Sequence, residues 1–178
     1  MPFPIQEHRN DCGAYCLAYF RELIAGRGPD NHLLLQNHID TIYNQIQFGH
    51  NFPPIAGHNI ADYSNPIDMM LYLINRGYFG TLTFYNSGDP LITAIANRLI
   101  IAPPIQYICA ALLNLKHNDY AIEICSVNGG LHYILRKGGL CMYNPWRGRQ
   151  QNYPADLAAH GTYPALASTH SGIYLPWR

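Results

Sequence analysis

Residues 131–144 carry the clearest hairpin pattern of this chain. They read Leu131-His132-Tyr133-Ile134-Leu135-Arg136-Lys137-Gly138-Gly139-Leu140-Cys141-Met142-Tyr143-Asn144. Two apolar runs of strand length flank a glycine-containing turn, which is typical of two antiparallel strands joined by a short loop. A three-residue loop formed by residues 137–139 predicts three opposed pairs. They are His132 with Asn144, Tyr133 with Tyr143, and Leu135 with Cys141.

The rest of the chain extends this hairpin into a larger pattern. Helical spacing, capping residues and stop signals predict helices over 12–25, 32–47, 67–75 and 90–99. Alternating or apolar runs predict strands over 80–85, 105–113 and 121–127, and the tail from 147 onward reads as loop. Helices therefore come first and an antiparallel sheet follows, which is an α+β arrangement. We expect one domain covering residues 1–178.

Composition excludes several classes of function. The 178 residues are 48% apolar and only 12% charged, and 11 basic residues balance 11 acidic ones. A neutral chain of this kind is a poor candidate for nucleic-acid or anionic-membrane binding. The most apolar tract, 91–115, is interrupted by Asn97, Arg98 and Pro103 and predicts buried core, not a membrane span. The N-terminal residues show no classical secretory signal. We expect a cytoplasmic protein, or an effector exported by another route.

Cys12 is the first candidate for chemistry. The five cysteines form no close-set framework, so we expect reduced thiols. Asp11 is a natural N-cap, and Cys12 then begins the first helix without filling its core. Unpaired amides and the helix dipole at this position favour a thiolate. The alternative is an inert cysteine buried at an apolar helix start.

His132 and Asn144 are the matching candidates for a base and its orienter. Opposed on one hairpin, an Asn amide oxygen is close enough to hold an imidazole N–H. A nucleophile on a helix start, a distant His and a group that orients it form the general arrangement of cysteine catalysis. The alternative is that His132 is an ordinary strand residue and Asn144 begins the turn at Pro145.

The N-terminal motif resembles that of a known peptidase family. Residues 5–18 read Ile5-Gln6-Glu7-His8-Arg9-Asn10-Asp11-Cys12-Gly13-Ala14-Tyr15-Cys16-Leu17-Ala18. This segment is similar to the opening of the papain-like peptidase domains of bacteriocin-exporting ABC transporters, where a Gln lies six residues before the Cys of Asp-Cys-Gly. Papain-like bacterial effector proteases and deamidases share much of the motif. The resemblance implies a papain-like fold, with N-terminal helices packed on an antiparallel sheet.

The resemblance also assigns roles to four residues. It implies that Cys12 is the nucleophile, His132 the base, and Gln6 a donor to the oxyanion. Asn144-Pro145 stands where the exporter family has Asp-Pro, so the ring would be oriented without a neighbouring negative charge. Residues 28–104 have no counterpart in the motif.

The implied activity is that of a free-standing thiol protease acting through a thioester, with no cofactor and no metal. Its substrate would be a protein or peptide, with a host or target-cell protein among the candidates. One alternative is a glutamine deamidase or effector toxin on the same fold. Another is a catalytically idle papain-like module used for binding.

Two further features have weaker interpretations. His8, Cys12 and Cys16 suggest zinc ligands, but Cys-x3-Cys lacks the second pair that a structural zinc site needs. Trp146 follows Asn144-Pro145 and is a candidate to shield the His–Asn hydrogen bond from water, or a plain core residue.

Overall fold

The structure is a computed structural model of the chain. The described residues are 5–6, 10–26, 32–49, 54–55, 57, 59–84, 90–98, 107–108, 115–127, 130–138, 140–145, 149–152 and 171–175. Within them the helices are α1 (Cys12–Ile24), α2 (His32–Ile46), α3 (Pro66–Ile74) and α4 (Pro90–Arg98). The strands are β1 (Thr81–Thr83), β2 (Tyr107–Ile108), β3 (Tyr120–Val127), β4 (Gly130–Lys137), β5 (Leu140–Asn144), β6 (Arg149–Asn152) and β7 (Ser171–Leu175).

Helix α1 is the centre of the packing. Every residue from Cys12 to Phe20 is buried, so this part of the helix is covered on all sides. The Tyr19 ring lies 4.6 Å from that of Tyr143 on β5, and the Phe20 ring lies 5.5 Å from that of Tyr120 on β3, measured between centroids. Aromatic pairs at these separations contribute beyond simple area burial. They fix α1 against the middle of the sheet.

The sheet within the described residues has seven strands in the order β2-β1-β7-β3-β4-β5-β6. Every neighbouring pair is antiparallel except β1 and β2, which are parallel. The predicted α+β class is therefore confirmed, and the predicted antiparallel sheet has one parallel edge pair. Among the described residues, no helix has the length and hydropathy needed to span a bilayer.

The helix predictions agree with the structure to within one residue at each end. Asn65 caps α3 as its sequence position suggests, because its side chain accepts a hydrogen bond of 3.0 Å from the Ile67 amide. Asp11 occupies the N-cap position of α1 but makes no side-chain capping bond. Of the predicted strand over 105–113, only Tyr107–Ile108 lies among the described residues.

The prediction that the tail is irregular is wrong. Strand β6 pairs with β5, and β7 lies between β1 and β3. The β6 sequence, Arg149 to Asn152, has no apolar alternation, so its pairing comes from the backbone ladder. Strand β7 joins the sheet beside strands far away in the chain, a contact that local sequence patterns do not encode.

The predicted register of the β4–β5 hairpin is also wrong. Lys137 pairs with Leu140, so only two positions separate the paired ends, and Gly138 has φ 52° as tight hairpin turns require. The ladder then skips one residue of β5, because Arg136 pairs with Cys141 but Leu135 pairs with Tyr143. The extra residue is a β-bulge at Met142. Tyr133 with Tyr143 and Leu135 with Cys141 are therefore not opposed pairs.

The bulge decides which face of the sheet Asn144 occupies. Tyr143 and its partner Leu135 belong to the apolar core that contains α1. Since successive side chains alternate between faces, Asn144 lies on the other face, together with His132 and Ile134. Without the extra residue, the one-residue offset would turn Asn144 toward α1.

Candidate active site

Cys12 lies at the first position of α1 and is only 2% exposed. Backbone N–H groups of Tyr133, Gly13 and Cys12 itself lie near its sulfur, and their interaction with it lowers the pKa of the thiol. Two of these donors are the unpaired amides of the helix start, as the sequence position predicts. The third, Tyr133, comes from the neighbouring strand β4.

Burial nevertheless determines the charge state of Cys12. Desolvation by burial raises the pKa of the thiol from 9.0 to about 12, and the Asp11 carboxylate acts in the same direction. That difference corresponds to about 4 kcal/mol, several times the ~0.3–1 kcal/mol that a helix dipole supplies. The sequence expectation of a resting thiolate is therefore wrong. The expectation that Cys12 stays outside the core is wrong too, because the residue belongs to the buried apolar cluster.

His132 and Asn144 form the hydrogen bond that the sequence predicts. The ring nitrogen Nε2 of His132 lies 3.1 Å from the amide oxygen Oδ1 of Asn144, and the two residues are 2% and 0% exposed. An amide oxygen can only accept, so Nε2 carries the hydrogen and donates it. In a neutral ring, Nδ1 then bears the lone pair that a general base needs. Burial lowers the pKa of His132 from 6.5 to about 4, which keeps the ring neutral near pH 7.

Cys12 lies beside the backbone of β4, and the His132 side chain leaves the same strand one residue before Tyr133. Tyr133 belongs to the core cluster that also contains Cys12, and His132 directly precedes it in β4. The Tyr133 amide that lies near the Cys12 sulfur is also part of the peptide joining Tyr133 to His132. A single peptide unit therefore separates the N–H beside the Cys12 sulfur from His132.

The contact between the Tyr133 N–H and the Cys12 sulfur is possible because β4 and β5 separate at this point. The last residue pair of the β4–β5 ladder is Leu135 with Tyr143. Tyr133 lies two residues before Leu135 in β4, beyond that pair. The Cys12 sulfur lies near the Tyr133 N–H, and the His132–Asn144 bond spans the two strands beyond the last ladder pair.

Gln6 lies beside the same end of β5. Its backbone N–H donates a hydrogen bond of 3.0 Å to the carbonyl oxygen of Pro145, the residue after Asn144. Its side-chain oxygen is buried. The structure thus brings the segment of Gln6, the start of α1 and the ends of β4 and β5 into one place.

Two residues at this place were not singled out from the sequence. The Tyr133 hydroxyl donates a hydrogen bond of 2.7 Å to the backbone oxygen of Ser64. Ser64 also contacts Gly13, because a Cβ atom on that glycine would collide with the Ser64 side chain. This contact explains why a glycine follows Cys12. The sequence indicates Tyr133 only through its position next to His132. A backbone donor or acceptor can belong to any residue type, so the sequence gives no signal for Ser64.

The weaker sequence interpretations are only partly tested. Cys12 and Cys16 form no disulfide and are buried, whereas His8 and Trp146 lie outside the described residues. In the part of the chain that the structure describes, no group of three or more His, Cys, Asp or Glu side chains could hold a metal ion. Comparisons with protein-family models, curated proteins and solved structures give no match to this chain.

Proposed function

We propose that this chain is a cysteine-nucleophile amide hydrolase of papain-like architecture. The observation that carries the proposal is the buried His132–Asn144 pair, one peptide unit from a cysteine at a helix start. An imidazole held through Nε2, with a basic Nδ1, is the arrangement that general-base activation of a thiol requires. The position of Gln6 beside the end of β5 adds a candidate oxyanion donor.

The charge states favour proton transfer within a neutral pair. Because the Cys12 pKa is raised to about 12 and the His132 pKa is lowered to about 4, both groups are neutral near pH 7. The sulfur would lose its proton to Nδ1 of His132 as it attacks the substrate carbonyl. This transfer needs the two atoms within about 2.6–3.2 Å, or one bridging water.

The remaining steps follow from that attack. A carbon–sulfur bond forms, and the carbonyl oxygen becomes an oxyanion that Gln6 and the Cys12 N–H would stabilise. Collapse breaks the carbon–nitrogen bond, and the imidazolium of His132 returns its proton to the leaving amine. Water, activated by the same imidazole, then hydrolyses the thioester.

Two substrate classes fit this chemistry. A peptide bond releases an amine and makes the protein a protease, with a host or target-cell protein among its candidate substrates. A glutamine side chain releases ammonia and makes it a deamidase. Incubation of the protein with a peptide mixture, followed by mass spectrometry, separates new peptide termini from conversion of Gln to Glu.

Burial favours one candidate of a different class. Cys12, His132 and Asn144 are each at most 2% exposed, which is also what an idle papain-like binding module would show. Reaction with p-nitrophenyl acetate tests this without a known substrate, because the ester acylates an activated thiol and releases a coloured phenolate.

Three variants make the acylation test specific. The active protein should gain one acetyl group on Cys12 and turn over, whereas Cys12→Ala should do neither. Cys16→Ala is the matched control, since Cys16 is a buried cysteine outside any disulfide and lies one helical turn away, and this variant should react like the wild type. Loss of acylation in Cys16→Ala alone would show that the nucleophile is misassigned, and no acylation of the wild type would favour the idle module.

A further inference from the structure

Tyr133 contacts Cys12 through its backbone amide and Ser64 through its hydroxyl. Its backbone N–H lies near the Cys12 sulfur and lowers the pKa of the thiol, and its hydroxyl donates a hydrogen bond of 2.7 Å to the Ser64 carbonyl. The residue is 1% exposed, so neither bond competes with bulk water. One side chain therefore links the strand that carries His132 to a segment far away in the chain.

The acceptor of the Tyr133 hydroxyl is held firmly. Ser64 forms an isolated antiparallel bridge with Gln47, directly after α2. The next residue, Asn65, donates its backbone N–H to Ile46 and caps α3 through its side chain. Ser64 is thus fixed by α2 on one side and by the start of α3 on the other.

Contacts between Ser64 and Gly13 complete a closed ring around the nucleophile. The Ser64 side chain occupies the space that a Cβ atom on Gly13 would fill, and Gly13 directly follows Cys12. The ring runs from Cys12 to the Tyr133 amide, through the phenol to Ser64, and back through Gly13. A displacement of Tyr133 would therefore move the donor relative to the sulfur.

We propose that Tyr133 is a positioning residue for Cys12, whose phenol, anchored on the Ser64 carbonyl, holds the backbone amide that donates to the sulfur. The proposal rests on the proposed function, in which that sulfur becomes a thiolate during attack. A hydrogen bond to the charged form of a group favours that form. Tyr133 has no contact with substrate in this role, and it acts through its amide.

The variant Tyr133→Phe tests this role because it removes only the hydroxyl and keeps the ring and the amide. Iodoacetamide labelling of Cys12 and Cys16, followed by peptide mass spectrometry between about pH 7 and 9, gives both rates. Labelling of Cys12 should slow by roughly 3- to 10-fold across this range, because one pKa unit changes the thiolate fraction tenfold. Labelling of Cys16 should be unchanged.

The sign of the effect separates positioning from mere structural support. A loosened core would expose both buried cysteines and speed up both labelling reactions. Tyr174→Phe is the matched control, since the Tyr174 hydroxyl donates a hydrogen bond of 2.6 Å to Asp119 on another part of the sheet. Unchanged Cys12 labelling in Tyr133→Phe, or faster labelling of both cysteines, would overturn the proposal.

A second pair of variants decides the question if Tyr133→Phe does not fold. Gly13→Ala places a methyl group against the Ser64 side chain, and 3.2 Å from the flexible Met69 sulfur, and should slow Cys12 labelling. Ser64→Gly in the same chain removes the closer contact and should restore most of the labelling rate. Ser64→Gly alone keeps the carbonyl and should label like the wild type. Failure of the double variant to recover would refute the ring of contacts. The proposed function fails separately, through absence of acylation by p-nitrophenyl acetate.

Discussion

His132 and Asn144 are joined by a hydrogen bond of 3.1 Å although they are not opposed in the β4–β5 ladder. Continuing the register from Leu135 and Tyr143 sets Asn144 opposite Ile134, so His132 is its diagonal neighbour on the same face. Diagonal neighbours in a sheet lie within reach of polar side chains. The extra residue at Met142 is what places both groups on that face.

This bond predicts a ranking of activity losses. His132→Ala removes the proton acceptor, whereas Asn144→Ala only frees the ring to rotate, so the His132 variant should lose far more activity. General-base catalysis contributes typically 10²–10⁴-fold, and we expect the His132 loss in that range. Hydrolysis of p-nitrophenyl acetate by purified, folded variants measures it. Equal and complete loss in both variants would contradict the ranking.

Asn144→Asp extends the same prediction to pH. This variant should retain substantial activity, since the exporter peptidase family that the N-terminal motif resembles has Asp-Pro where this chain has Asn144-Pro145. A carboxylate beside the ring favours imidazolium, so the pKa of His132 should rise from about 4. The acid limb of the activity profile should then move to higher pH, and an unmoved limb would show that Asn144 does not control the base.

Burial of His132 also predicts a loss of stability in acid. The unfolded ring binds a proton below its ordinary pKa of 6.5, but the folded ring does so only near 4. The unfolded state therefore holds more protons between these values, and stability falls as pH is lowered through this window. The His132 contribution should reach about 2 kcal/mol at pH 5.

Urea unfolding at about pH 7, 6 and 5 measures this contribution as a difference between chains. The wild type should lose about 2 kcal/mol more than His132→Gln over this range. His38→Gln is the matched control, because His38 is exposed on α2 and its surroundings change little on unfolding. Parallel pH slopes for the wild type and His132→Gln would contradict the burial of a neutral ring.

The sequence predicts local features of the fold better than it predicts register. Helix bounds follow from residues such as Asn65, whose capping bond is local. The length of the hairpin loop cannot be predicted from local residues in this way. Both a three-residue loop, Lys137-Gly138-Gly139, and a two-residue loop, Gly138-Gly139, have the glycines that hairpin turns favour. The Met142 bulge places Tyr143 on the face where it packs against Tyr19, and that contact joins distant parts of the chain.

The candidate site shows the same division. The His132–Asn144 pair was predicted correctly from a wrong register, because the two-residue loop and the bulge together restore the predicted face. The charge state of Cys12 was predicted wrongly, because burial raises the pKa of the thiol by more than the helix start lowers it. The contacts of Tyr133 and Ser64 involve backbone atoms at one end, the Ser64 carbonyl and the Tyr133 amide, and residue types do not reveal such contacts.

Gln6 is the remaining candidate for a direct role in the reaction. Its backbone bond to Pro145 holds the segment beside β5, and this bond survives substitution of the side chain. A donor that meets charge only in the transition state changes kcat and leaves KM nearly unchanged. Gln6→Ala should therefore lower kcat for p-nitrophenyl acetate by roughly 10²–10³, the usual cost of one oxyanion donor.

Gln6→Glu is the sharper companion to this variant. It keeps the length of the side chain but places a negative charge where the oxyanion would form, so near pH 7 it should be no more active than Gln6→Ala. Cys12 should still be alkylated by iodoacetamide in both variants, which shows that the nucleophile is intact. A steep rise in KM at constant kcat would instead make Gln6 a substrate-binding residue, because uniform binding affects the ground state and the transition state alike.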